Sequence, residues 1–126
     1  MDMNDIALIA AGCVGILVAV FHGIVLQRKM IEPLLKRPEN DAILAGPTRR
    51  LFPLLMHFST LCWFLGGLVL IAAPFWFDDA ARSATAIVVG AFYVVGAVGN
   101  GLTTRGKHPG WILLAIAVAL IWFGSH

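Results

Sequence analysis

Charge is scarce in this chain, and four long stretches carry none at all. Asp, Glu, Lys and Arg make up 13% of the 126 residues, where an ordinary soluble domain has about 25%. No ionisable carboxylate, amine or guanidinium falls between residues 6 and 26, 54 and 73, 84 and 102, or 109 and 124. Proton-coupled exporters of this size, ion pumps and voltage sensors depend on such groups inside the membrane, so these classes are excluded. There are only two cysteines, Cys13 and Cys62, both inside apolar runs and with no CxxC spacing. That excludes a thiol redox centre of the quinone-reducing four-helix kind and argues against a zinc finger. The two thiols fall at different depths of their runs and are not expected to pair, since a disulfide needs Cα atoms within about 7 Å. Paired carboxylates, a Ser/His/Asp set and a phosphate-cradling Gly-rich loop are also missing. Ser59 sits two residues from His57, which places it on another helix face. The sequence therefore offers no catalytic constellation and leans away from an enzyme. The first residues are acidic rather than basic, so a cleavable signal peptide is not expected.

Hydrophobic residues form 60% of the chain, and its mean hydropathy is +0.88. The run from Leu54 to Ala73 has twenty residues, about 30 Å as a helix, which matches the hydrocarbon thickness of a bilayer. The other three runs have comparable character, and the last is shorter, about 24 Å. Backbone polar groups in lipid must be satisfied internally, so each run is expected to be helical. The expectation is an all-α, integral membrane, up-down four-helix bundle, a single domain over 1–126. Its spans cover about 6–26, 54–73, 84–102 and 109–124, joined on one side by loops 27–53 and 103–108.

The placement of charge sets the expected orientation. Arg28, Lys29, Lys36, Arg37, Arg49, Arg50, Arg105 and Lys107 lie in those two loops, eight of the nine basic residues. Arg82 lies on the other side, with Asp78, Asp79 and the acidic N-terminus. Positive residues stay cytoplasmic. Both termini are then expected to be non-cytoplasmic, in a bacterial inner membrane. The net charge of +2 sits at membrane boundaries, so nucleic acid is not an expected partner. The first basic loop holds Pro33, Pro38, Pro47 and Pro53, so no long helix is expected to cross it. Ile31, Leu34 and Leu35 suit a short interfacial segment there.

Small residues suggest the packing. Ala11, Gly15, Ala19 and Gly23 recur at steps of four on the first span, a ladder that lets another backbone approach. The second span has Gly66 and Gly67, and the third is rich in glycine. Such faces also suit self-association or docking to a larger membrane complex.

A small polar set remains near the basic side. His22, His57 and Asn100 fall within about 3–6 Å of one level. Tyr93 shares a face with Asn100 at a spacing of seven. Two histidines on antiparallel helices suit a haem iron, with Arg49, Arg50, Arg105 or Lys107 meeting its propionates. They also suit a metal or small ligand, or simple hydrogen bonds to a neighbouring helix, water or head groups. Arg105, Lys107 and His108 add positive charge near Asn100 and suit an anion or lipid phosphate. Gly106 and Gly110 are expected to tighten that turn, with Pro109 in the first turn of the last span.

His22, the pattern His57, Thr60, Trp63 in the second span, and Arg105, Gly106, Lys107, His108, Trp111 before the fourth resemble a group of small, uncharacterised four-span bacterial inner-membrane proteins. That resemblance implies the fold and membrane location but no activity and no catalytic residue. Three functions follow as expectations. The first is a non-enzymatic subunit or accessory of a larger membrane complex, or a homo-oligomer. The second is a haem, metal or anionic-lipid site on His22, His57, Asn100, Tyr93, Arg105, Lys107 and His108. The third is a small transporter or channel with an apolar pore.

Overall fold

The computed structural model describes residues 1–38 and 46–125. It is all-helical, with no strand among the described residues. Helix α1 (Met3–Leu26) runs through a π-helical turn (Gln27–Ile31) into the short α2 (Glu32–Leu35). Then come α3 (Pro47–Trp76), α4 (Asp79–Thr103) and α5 (Gly110–Gly124). Three of these units are long and apolar enough to cross a membrane: Met3–Leu35, Pro47–Trp76 and Asp79–Thr103. Helix α5 is a shorter apolar helix of 15 residues.

The helix starts follow local chemistry. Asp2 accepts from the Asp5 N–H at 2.8 Å and Asp5 accepts from the Asp2 N–H at 3.1 Å, a reciprocal cap for α1. Asp78 caps α4 through the Ala81 N–H at 2.8 Å. The end of α4 is a Schellman turn. The Gly106 N–H reaches the Gly101 carbonyl at 2.8 Å, and the Arg105 N–H reaches Leu102 at 3.2 Å. Arg105 takes the left-handed position at φ 51°, followed by Gly106 at φ 73°. Gly106 thus tightens the turn as expected, whereas Gly110 is already the first residue of α5.

The helices extend past the apolar runs at the basic end. Pro47 is the first residue of α3, where its missing N–H costs nothing, and Pro53 is carried inside the helix. A proline seven residues in forfeits one hydrogen bond near the helix end, which the rest of a 30-residue helix outweighs. On the other side of this segment, Pro33 sits in the first turn of α2, and Ile31 is buried rather than interfacial. The 27–53 segment is therefore helical over much of its length. Its stretch 39–45 lies outside the described residues.

Arg49 ties the two sides of this segment together. Its guanidinium donates to the carbonyl of Leu35, and to that of Arg37 at 2.9 Å. These carbonyls lie at and just beyond the end of α2, where a cation meets the negative end of the helix dipole.

Contacts close the helices into a ring in the order α1, α3, α4, α5. Every neighbouring pair is antiparallel. Gly12 meets Gly67 and Gly23 meets Thr60 across α1 and α3; Gly66 meets Val89 and Gly96 meets Trp63 across α3 and α4. Gly90 meets Ile121 and Gly101 meets Trp111 across α4 and α5, and Gly124 meets Leu8 across α5 and α1.

Backbone packs directly on backbone at Gly12 and Gly67. A Cβ on Gly12 would lie 2.5 Å from the Gly67 carbonyl, and one on Gly67 would lie 2.7 Å from the Gly12 carbonyl. Gly12 is next to the small-residue ladder rather than in it. Ladder residues Ala11, Gly15 and Ala19 instead line the bundle interior. Tyr93, fully buried on α4, fills the space over Gly15 and donates to the Trp63 carbonyl at 3.1 Å. One side chain thereby links three helices across the diagonal. At the acidic end, Arg82 of α4 bonds Asp5 of α1 at 2.5 Å along the same diagonal.

Candidate functional site

The candidate residues divide among four places. Tyr93 belongs to the core. Its hydroxyl is satisfied by Trp63, so its role is packing and registration of α4 on α3. Arg105 and Lys107 are exposed on the turn before α5 and do not line the pocket that holds His22, Asn100 and His108.

His57 faces the groove between α1 and α3, with Ala19, Val20, Gly23, Thr60, Leu61 and Phe64. Its Nε2 is 3.1 Å from Gln27 Oε1. Gln27 opens the π-helical turn, and its role was not legible in the sequence, where it only marks the end of an apolar run. With the amide oxygen as acceptor, His57 donates through Nε2. Thr60 shares the groove, and its buried hydroxyl has no hydrogen-bond partner among the described residues.

His22, Asn100 and His108 come together. They line one pocket of about 220 Å³ between α1, α4 and the start of α5, with Leu17, Val18, Phe21, Pro109, Gly110 and Leu113. The His22 ring packs on Trp63 of α3, centroids 4.7 Å apart and planes at 59°. Trp63 is itself held by Gly96, where a Cβ would come 2.4 Å from the indole. His22 is thus seated on a rigid aromatic floor. The His108 ring lies 6.2 Å from Phe21 and accepts the Gly110 N–H on Nδ1 at 3.1 Å. Asn100 donates to the Gly96 carbonyl at 3.0 Å, which leaves its amide oxygen and one N–H for the pocket.

The pocket is polarised along the helix axes. On α1, Leu17 is five residues before His22, about 7.5 Å deeper. On α5, which runs the opposite way, Leu113 is likewise deeper than His108. His22, Asn100 and His108 therefore gather at the basic end and the aliphatic side chains gather below them. Leu17 and Phe21 are 62% and 52% exposed, so the mouth opens sideways on the bundle surface rather than down a central channel.

This geometry separates the two histidines that the sequence pairs. His22 and His57 line different pockets, on opposite sides of α1, and the Nε2 of His57 is engaged by Gln27. A haem held between them needs a shared cavity, and the pockets that these two residues line among the described residues are separate. Among the described residues, no three His, Cys, Asp or Glu side chains converge as metal ligands. Phe21, Leu17 and Leu113 were not singled out from sequence, because exposed apolar residues on an apolar helix carry no signal of their own. Comparison of the chain with protein-family models, curated proteins and solved structures finds no match.

Proposed function

We propose that this chain is a non-enzymatic integral membrane protein that holds a lipid-like amphiphile in the pocket between α1, α4 and α5. In this reading the four helices span a bacterial inner membrane, the basic end is cytoplasmic and both termini are outside. Eight of nine basic residues at one end support that orientation. The short α5 would be accommodated by local thinning of the bilayer and by packing on its neighbours.

The observation that carries the proposal is the polarity gradient of the pocket. Its polar groups lie at the level of a head group and its aliphatic wall at the level of a chain. Its side opening faces where lipid would lie. A solute from water would meet the pocket from the wrong direction, and no charged side chain among the described residues lines it.

The test is photo-crosslinking in native membranes with an amphiphile carrying a diazirine in its chain. Labelling confined to Leu17, Phe21 and Leu113 supports the proposal. Labelling spread evenly over all apolar faces, including the outer face of α3 at Phe75 and Trp76, would leave only bulk solvation. Reporter fusions at both termini test the orientation.

A second reading is a subunit or accessory of a larger membrane complex, or a homo-oligomer. Ala84, Val88, Ala91, Val95, Val98 and Leu102 are all exposed on α4 at steps of four, three, four, three and four. That spacing of small and β-branched residues is the seam of a packed helix pair. A cysteine at Val95 that crosslinks neither to a second copy nor to another protein in native membranes counts against it.

A further inference from the structure

Resting on the amphiphile pocket just proposed, we infer that its ligand carries a neutral carbonyl head, such as a quinone or ketone, and not a phosphate. The argument begins with His108. Its Nδ1 accepts the Gly110 N–H at 3.1 Å, so the proton of the neutral ring sits on Nε2. A second proton on Nδ1 would face that N–H, donor against donor. In its neutral form His108 is therefore a single donor, through Nε2. The Gly110 amide also removes the ring as a metal ligand through Nε2, because ligation there needs the proton on Nδ1.

The rest of the lining agrees. Asn100 has an N–H left over after its bond to Gly96 and so supplies a second donor from another helix. Every other lining group except His22 is apolar or a backbone turn. Arg105 and Lys107, the cations that the sequence places nearby, are exposed and outside the pocket. A phosphate taken into this space would lose its water with no Arg or Lys among the lining residues to pair with it, and an unpaired buried charge is strongly unfavourable. A carbonyl oxygen needs only donors, and His108 and Asn100, lining residues from two elements, each have one to give. Gly110, through its N–H, is the positioning residue for His108.

The experiment compares two single-chain probes of similar length in phosphatidylcholine nanodiscs by calorimetric titration. Decyl-benzoquinone is the neutral carbonyl probe and lysophosphatidylglycerol is the anionic one. The expected result is saturable binding of the quinone, at least tenfold tighter than the anionic probe. His108→Phe then weakens quinone binding about tenfold, while His108→Gln, which keeps an N–H near the Nε2 position, retains most of it. Arg105→Gln and Lys107→Gln leave it unchanged. The ranking of the two probes on the unmodified protein needs no variant to fold. Tighter binding of lysophosphatidylglycerol, weakened by the Arg105 and Lys107 changes, overturns this inference and keeps the amphiphile pocket. Saturable binding of neither probe overturns the pocket reading itself.

Discussion

Replacing Gly15 with alanine would put a methyl group against the buried Tyr93 ring. The new Cβ falls 1.8 Å from Tyr93 Oη, 2.4 Å from Cζ and 2.9 Å from Cε2. Real Cβ atoms do not approach so closely, so the ring must move. Tyr93 is fully buried and its hydroxyl is tied to the Trp63 carbonyl, so any movement is opposed from α3. Overpacking a tight core costs about 1–3 kcal/mol, and loss of a buried hydrogen bond costs about 1 kcal/mol more. Alanine returns about 1 kcal/mol through its better helix propensity. The net expectation is a loss of about 1–3 kcal/mol. Reversible unfolding in bicelles, followed by far-ultraviolet circular dichroism, measures it. Gly99→Ala is the control, because a Cβ there meets nothing within 4 Å, and it is expected to be neutral or slightly stabilising. A cycle with Tyr93→Leu isolates the cause. If the two changes simply add, or if Gly15→Ala behaves like Gly99→Ala, the packing argument fails.

Three further outcomes follow from other contacts. Arg49→Ala removes the guanidinium bonds to the carbonyls of Leu35 and Arg37, so amide exchange over Glu32–Leu35 should quicken several-fold, and Arg49→Lys should restore it only in part because one ammonium lacks the two-pronged geometry. Gln27→Leu and His57→Leu should each destabilise by about 1 kcal/mol, and the double variant by less than their sum, since they share one bond; strict additivity in the unfolding cycle would refute the pairing. Arg105→Gly relieves a left-handed non-glycine residue at the end of α4 and should stabilise by about 1 kcal/mol in the same assay; an unchanged midpoint would show that this turn carries no strain.

Much of the architecture was legible in the chain. Long charge-free runs report helices, because lipid or core leaves the backbone no other way to satisfy itself. Glycines at Gly66 and Gly67 announced close packing, and they serve two neighbours, Val89 of α4 and Ile16 of α1. The extent of helix in the 27–53 segment was not legible. Its prolines read as breakers, yet Pro33 and Pro47 occupy first turns and Pro53 is outvoted by the helix around it. The end of α4 was half legible. Gly106 announced a turn, but Arg105 in the left-handed position could not be inferred from its type.

The candidate site shows the same division. Depth along a helix is a property of residue number, so the sequence by itself placed His22, His57 and Asn100 near one level. Direction around a helix is not, when the helix is apolar on every side and no period marks its inner face. Only the crossing of the helices decided that His22 turns to Asn100 and His108, and His57 to Gln27. The physical reason is that rotation is set by pairwise fits such as Gly12 on Gly67, Gly96 on Trp63 and Gly15 on Tyr93. Those fits couple residues far apart in the chain, and each depends on the shape of both partners. Element type and ends come from local free energies that a reader can sum along the sequence, whereas the pocket exists only once four helices have agreed on their faces.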